Sequence, residues 1–332
     1  MTQTKIKVAI AGAGMVTRHH LKAWVCLPQA EVVAICARRL KNAEARAAEF
    51  GIPRAYADVA EMLDKEKPHA LDIATPPDVH ASQVRMAAER GINVLCQKPM
   101  TPSLAESEQL VNEVGEKVRF MVHENWRFRP QYRQAAQWLA HGKAGPIREF
   151  EMVTRSSGLV TRTASGRLFA LERQPFFSRL KRFILLELLI HHLDTTRFLV
   201  GPLRVITARS AHISPEVIGE DVALITLEAE NGAFGTVLGN LSAVGWPPLP
   251  TDRLELIGER ASIIFENDVL KLVGEQEESV HFDMEAAYQA SYDNAIAHFV
   301  EALRTSKPFE TDRLDNLQTL RLVEEAYRKA GL

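Results

Sequence analysis

A chain of 332 residues has room for two domains with large cores, and its 46% hydrophobic and 25% charged content is that of an ordinary globular protein. A formal net charge of −2 gives no electrostatic basis for binding nucleic acid or a membrane surface, and no charge-free apolar stretch is long enough to span a bilayer. The three cysteines, Cys26, Cys36 and Cys96, lie in apolar segments without metal-ligand spacing. An odd number so placed points to reduced thiols rather than a disulfide framework, and no metal site is expected. The opening residues show no basic-then-apolar leader pattern, so a cytoplasmic location is expected.

Taken in order, the first part of the chain alternates strand and helix. Apolar runs at Val8–Ala11, Val32–Cys36, Ala70–Ala74, Val94–Cys96 and Val118–Val122 read as strands. Helical patterns fall at 15–27, 40–50, 58–65, 78–90 and 103–116, with Asp58 as an N-cap and Ser103-Leu104-Ala105-Glu106 as a capping box. Strands separated by helices of this length require right-handed crossovers and a parallel sheet covered on both faces. The expectation is a doubly wound α/β Rossmann domain over residues 1–125. Beyond it come a helix at 131–141, a strand from Ile147 to Arg155, an aperiodic stretch at 158–180 that reads as a long loop, and a helix at about 181–199. Strands follow at Val205–His212, Val222–Ala229, Phe234–Leu241, Arg253–Ile257, Ser262–Phe265 and Val269–Val273, and two helices, at about 284–305 and 313–330, come last. Asn231-Gly232 reads as a hairpin turn. Residues 126–332 are thus expected to form an α+β domain with an open, mainly antiparallel sheet for substrate binding and oligomerisation, its last helices free to pack back on the first domain.

Several stretches carry chemistry. Lys5–His20, KIKVAIAGAGMVTRHH, is a strand, a glycine turn and a helix start, an arrangement that binds phosphate through the free N–H groups of the first helical turn. Gly12, Gly14, Met15 and Val16 are placed at the pyrophosphate of a dinucleotide, although Thr17 occupies the third glycine position of the fingerprint. The second strand ends Ala37-Arg38-Arg39 with no carboxylate to accept from ribose hydroxyls. Guanidinium groups there suit a 2′-phosphate, which favours NADP(H) while leaving NAD(H) possible. Ligands of such sheets lie beyond the carboxyl ends of the strands, which adds Thr75, Pro76, Pro77 and His80 after the fourth strand and Gln97 and Lys98 after the fifth. A lysine beside a nicotinamide can polarise or deprotonate a hydroxyl.

The helix at 181–199 is apolar on most sides, yet Glu187, His191 and Asp194 fall at i, i+4 and i+7 on one face. The sharper reading makes His191 a general acid/base oriented by Glu187 or Asp194, and the plainer one a satisfied structural network. His192 points about 100° away and is assigned to packing or capping. Positive charge at Arg155, Arg162, Arg167, Arg173, Arg179, Lys181 and Arg182, with Trp126-Arg127-Phe128-Arg129, suits either an anionic substrate or an exposed loop or subunit contact, the latter favoured.

These motifs together resemble the Gfo/Idh/MocA family of NAD(P)-dependent sugar and polyol oxidoreductases over nearly the whole chain. The likeness rests on Gly12-Ala13-Gly14 with His20 downstream, Ala74–His80, Gln97-Lys98-Pro99 for the family's Glu-Lys-Pro, Arg127-Phe128-x-Pro130, His191-x-x-Asp194 followed by Gly201, and Val323-Glu324-x-Ala326-Tyr327. The resemblance implies that Lys98 contacts substrate hydroxyl and nicotinamide, that His191 is the catalytic histidine, that Glu187 stands for the usual aspartate, and that the second domain's sheet makes homodimers or homotetramers. Trp126, Arg127 and Asp194 are expected with Lys98 and His191 around the substrate, a secondary alcohol or ketone of a sugar, polyol or sugar acid. Gln97, Leu189 and Glu187 depart from the family's glutamate, glycine and aspartate, and Leu189 with Glu187 is expected to reshape the substrate pocket. Redox-neutral glycoside cleavage with retained NAD and a non-catalytic dinucleotide sensor stand as alternatives.

Overall fold

The computed structural model describes residues 5–275 and 277–332; the first four residues, on which the leader expectation partly rests, lie outside them. The chain divides into two compact units, one running to Phe128 and taking in Tyr288–Gln318, the other comprising Arg129–Ala287 and Thr319–Leu332.

The first unit alternates β1 (Ile6–Ala11), α1 (Met15–Val25), β2 (Ala30–Cys36), α2 (Leu40–Phe50), β3 (Ala55–Tyr56), α3 (Val59–Glu66), β4 (Ala70–Ile73), α4 (His80–Ala88), β5 (Asn93–Gln97), α5 (Leu104–Val114) and β6 (Phe120–His123). Its six strands are all parallel, in the order β3-β2-β1-β4-β5-β6. Strand order reverses direction at β1, so ligands gather beyond the carboxyl ends of β1 and β4. The strands are near-continuous apolar runs because both faces are covered. On one face Leu21 and Trp24 of α1 and Ala43 and Ala47 of α2 pack with Tyr292, Ile296 and Phe299. The last three lie on α9 (Met284–Thr305), which therefore completes the core of this unit. The expected caps form: Asp58 accepts from the Glu61 N–H and Ser103 from the Glu106 N–H. β3 has only two residues, too few to show an alternating or apolar pattern, and is not among the expected strands.

The second unit holds α6 (Pro130–Ala140), β7 (Ile147–Arg155), α7 (Phe169–Arg173), α8 (Leu189–Val200), β8 (Leu203–Ala211), β9 (Val222–Ala229), β10 (Phe234–Asn240), β11 (Thr251–Gly258), β12 (Ala261–Glu266), β13 (Val269–Gly274) and β14 (Glu278–His281), with part of α10 (Arg313–Ala330). Its eight strands run in the order β14-β13-β12-β11-β7-β10-β9-β8, antiparallel throughout except for the parallel β7–β10 pair. Burial alternates strictly along β10 and β12, so one face packs inward and the other stays open. Ile206, Leu224 and Phe234 are exposed. The Asn231-Gly232 hairpin turn forms as expected, with Gly232 at φ 85° and the Asn231 side chain accepting from the Ala233 N–H.

Two expectations need correction. Residues 158–180 are not an unstructured loop: they contain α7 and a 3₁₀ turn at Pro175–Arg179. Segments this short span too few turns to show a helical period. The helix expected at 181–199 is a π-helical turn at Ile184–Leu188 followed by α8. Of the three residues expected on one face, Glu187 lies in the π-helical turn, and His191 and Asp194 lie on α8.

Candidate active site

The glycine turn is tied at both sides, with the Gly12 N–H donating to the Cys36 carbonyl at 2.8 Å and the Ala74 N–H to the Ala11 carbonyl at 2.7 Å. Gly12 adopts φ +117°, and a Cβ there would sit 2.6 Å from the Ala74 carbonyl carbon. Only glycine fits so close an approach. Gly14 caps α1 without a side chain, has open space where its Cβ would be, and is followed by a first turn with no acidic residue. The N–H groups of that turn therefore remain available to an anion. Met15 is exposed and Val16 half-buried beside them. Thr17 is fully buried and its hydroxyl has no partner among the described residues, so the third fingerprint position is used for packing. A residue that sequence reasoning passed over holds the turn from behind: Arg46 of α2 donates to the Ala13 and Gly14 carbonyls, each at 3.2 Å.

At the end of β2, Ala37 is half-buried, and Arg38 and Arg39 are exposed and pair with no described residue. The Cys36 thiol beneath them is pushed up to about 12 by burial, with Asp58 and Glu61 adding to the shift. Burial likewise holds the Cys96 thiol well above its ordinary value, so both are inert thiols.

The loops after β4 and β5 are joined by His80. Its Nε2 lies 2.8 Å from the Thr75 carbonyl oxygen and its Nδ1 3.0 Å from that of Pro99. Burial outweighs these carbonyls and holds the imidazole below its ordinary value. Thr75 donates its hydroxyl to Gln83 at 2.8 Å, Pro76 is exposed and Pro77 half-buried. Lys98 is half-buried and precedes Pro99 through a cis peptide. Gln97 faces inward: its Nε2 lies 2.9 Å from His20 Nε2 and 3.2 Å from His123 Nδ1, and its Oε1 accepts the Lys98 N–H at 3.0 Å. His20 in turn meets Asp72, to which the Trp24 indole also donates. The signal that could have revealed this group is a lone carboxylate, Asp72, inside the apolar run of β4, with His20 and Trp24 four residues apart on α1. Trp126 is half-buried with its ring 6.3 Å from that of Tyr288. Arg127 is only 4% exposed and donates to the Glu310 carbonyl and to Asp315, each at 3.0 Å.

In the second unit His191 is 5% exposed on α8 and Glu187 is half-buried in the π-helical turn. Asp194 is fully buried and accepts the Thr319 hydroxyl at 2.9 Å. His192 does more than pack: its Nε2 lies 3.0 Å from Asp252, which Tyr132 and Arg129 also donate to, at 3.0 and 3.2 Å. Leu189, expected to alter the pocket, is buried against the sheet instead, its Cδ2 only 2.8 Å from where a Cβ on Gly239 would lie. Much of the basic cluster is engaged: Arg162 pairs with Glu216, Arg182 with Glu324, and the Arg155 guanidinium lies over the Trp246 ring. Among the described residues no group of three or more His, Cys, Asp or Glu could hold a metal, and no helix is long and apolar enough to cross a membrane.

A six-stranded parallel sheet with an uncapped helix behind a glycine turn, followed by an open mixed sheet, defines a two-part dinucleotide-dependent oxidoreductase. The chain belongs to the Gfo/Idh/MocA oxidoreductase family: residues 6–124 match its NAD-binding Rossmann model and residues 132–264 its C-terminal domain model. It is 32% identical to a D-apiose dehydrogenase of Paraburkholderia graminis, over 99% of this chain and 88% of that protein. It is 28% identical to the scyllo-inositol 2-dehydrogenase (NAD(+)) of Bacillus subtilis, over 93% and 89%. An oxidoreductase from Agrobacterium radiobacter, solved with NAD+, L-tartaric acid and magnesium, superposes with a TM-score of 0.91 at 29% identity, covering 99% of this chain and 97% of that one. The protein is an NAD-binding oxidoreductase.

Proposed function

We propose that this enzyme is a dehydrogenase or reductase acting on a secondary alcohol, or the corresponding ketone, of a sugar, polyol or sugar acid, with NADP(H) preferred and NAD(H) accepted. One observation carries the reading: the Gly12–Gly14 turn opens on the same carboxyl edge of the sheet as the loop that presents Lys98. The similarity to D-apiose and inositol dehydrogenases supports the substrate class. Arg38 and Arg39, which pair with no described residue, and the lack of a carboxylate at the end of β2 support recognition of a 2′-phosphate.

The N–H groups behind Gly14 hold the pyrophosphate, and Arg38 and Arg39 the adenosine end. Thr75, Pro76 and Pro77 would line the cofactor at this edge, their loop fastened to that of Lys98 through His80. When bound, the nicotinamide supplies the hydride acceptor or donor. Lys98 polarises the substrate hydroxyl, and His191, supported by Glu187, takes its proton in oxidation and returns it in reduction. Trp126 contributes an apolar wall, while Arg127 and Asp194 act from within their units by fixing neighbouring segments. The open face of the second sheet, with Ile206, Leu224 and Phe234, is the surface through which homodimers or homotetramers form.

The test is fluorescence titration with NADPH and NADH, then turnover of both cofactors against a panel of aldoses, polyols and sugar acids that includes D-apiose and scyllo-inositol. Tighter NADPH binding with hydride transfer to at least one panel member is expected. Binding without any turnover would overturn the catalytic reading.

A further inference from the structure

We propose that Gln97 is a positioning residue for Lys98, held by a buried chain of hydrogen bonds that starts at Asp72 and requires an amide, not a carboxylate, at this position. The proposal rests on the assignment of Lys98 to the reaction made above.

The donor and acceptor roles along the chain follow from its two fixed ends. The Lys98 backbone N–H can only donate, and it reaches Gln97 Oε1 at 3.0 Å. The amide therefore cannot be flipped, and its NH₂ group must face the two imidazoles. One amide proton goes to His20 Nε2 at 2.9 Å, so that nitrogen carries a lone pair and His20 is protonated on Nδ1. The Nδ1–H then points at Asp72 Oδ2, 2.8 Å away, and Asp72 accepts from the Trp24 indole N–H at 2.7 Å as well. The second amide proton goes to His123 Nδ1 at 3.2 Å, which places the His123 proton on Nε2, an atom with no partner among the described residues. Every role is determined, and no two donors or two acceptors face one another.

The chain is built from four elements: His20 and Trp24 from α1, Asp72 from β4, Gln97 from β5 and His123 from β6. Asp72, His20 and His123 are fully buried and Gln97 is 8% exposed. In such surroundings a hydrogen bond is strong and a lost one costly, so the carboxyl end of β5 is fixed where the backbone turns to present Lys98. The titratable groups that face Gln97 or pack on its partners are Asp72, His20, His123 and the neighbouring Glu124, with Tyr292 of α9 in ring contact with both histidines and His19 stacked on Tyr292.

A carboxylate in place of the amide would lose both donors. His123 could adapt by moving its proton to Nδ1, because its Nε2 has no bond to give up. His20 could not, because its Nδ1–H is committed to Asp72. The carboxylate would therefore face the His20 lone pair until a proton is taken up. Gln97→Glu should make turnover pH-dependent in a way Gln97→Leu, which removes the bonds without adding a titratable group, does not.

The experiment uses the full chain with NADH as the binding probe and the panel sugar of highest turnover as substrate. In Gln97→Leu kcat is expected to fall about tenfold by a factor constant with pH, and exchange of the Lys98 amide hydrogen to accelerate by a similar factor. In Gln97→Glu the ratio of variant to parent kcat should rise about tenfold from pH 9 to pH 6, while the NADH Kd stays within twofold in both. A ¹⁵N-histidine spectrum of the unaltered protein, which needs no variant to fold, should show His20 protonated on Nδ1 and His123 on Nε2. Either opposite tautomer, or kcat and amide exchange unchanged in both variants, overturns the proposal. So does a change confined to the NADH Kd, which would mean that Gln97 acts on the cofactor directly. Lys98→Met separates the two ideas: if it abolishes turnover while the Gln97 variants behave like the parent, Lys98 keeps its role and only the positioning chain fails.

Discussion

Gly12→Ala is the perturbation most tightly bounded by the geometry. At φ +117° an alanine occupies a region that L side chains rarely adopt, and its Cβ would lie 2.6 Å from the Ala74 carbonyl carbon and 3.2 Å from the Thr75 nitrogen. Strain of this kind costs about 1–3 kcal/mol and overpacking against a fixed neighbour about 1–3 kcal/mol. The neighbour is backbone at the end of β4 and cannot rotate away, so relief comes from moving the turn off the β4 loop. That displaces the N–H groups behind Gly14. If about 3 kcal/mol of the total appears in binding, NADH affinity falls about a hundredfold. Fluorescence titration with NADH reads this directly. Gly51→Ala is the control: Gly51 also has a positive φ, +67°, but nothing lies within 4 Å of its Cβ position. It should lower Tm slightly and leave the NADH Kd unchanged. A Gly12→Ala protein that binds NADH within twofold of the parent would refute the role given to this turn.

The remaining predictions concern the cofactor's phosphate, the response to acid and the packing of α8. Arg38→Ala should weaken NADPH at least tenfold more than NADH; equal losses in paired titrations would remove the case for 2′-phosphate recognition. His80, His123 and His19 are each held below the ordinary histidine value, burial being the leading cause in each case. A depressed histidine binds fewer protons folded than unfolded, so the stability it contributes is present above the unfolded value of about 6.5 and is lost as pH falls below it, by up to about 1.4 kcal/mol per pH unit for each of the buried His80 and His123 rings and by less for the half-buried, solvent-screened His19. Tm should therefore fall steadily from pH 6.5 to 5; a flat profile would contradict this. Gly239→Ala would press on Leu189 and Ile184, whose terminal carbons lie 2.8 and 2.9 Å from the new Cβ. It should cost about 1–3 kcal/mol in urea unfolding, and a neutral result would show that the π-helical turn yields easily.

The first unit was legible because its strands are short apolar runs buried on both faces, and their spacing by helices leaves few topologies. The dinucleotide turn could be read from Gly12 and Gly14, and at Gly12 the cause is steric: only glycine allows the backbone that close to Ala74. What escaped were features that spacing does not encode. Helical periodicity read 181–199 as one regular helix, whereas the segment opens with a π-helical turn at Ile184–Leu188 before α8. Leu189 read as a pocket residue because its counterpart, Gly239, lies fifty positions away on β10 and only the fold brings them together. His192 looked like packing or capping because its partner Asp252 sits far along the chain on β11, where Arg129 and Tyr132 from the start of α6 also donate to it. Gln97 read as facing the cofactor, since a sequence shows a strand's end but not which way its last side chain turns; its three partners come from α1, β6 and its own neighbour.

The most direct test of the proposed chemistry is single-turnover hydride transfer in Lys98→Met, with cofactor binding measured on the same sample. The account predicts that NADH binds as in the parent while the rate of hydride transfer falls about 10²–10⁴-fold, the usual contribution of a positioned proton-transfer group. Hydride transfer at the parental rate with Met at position 98 would contradict it.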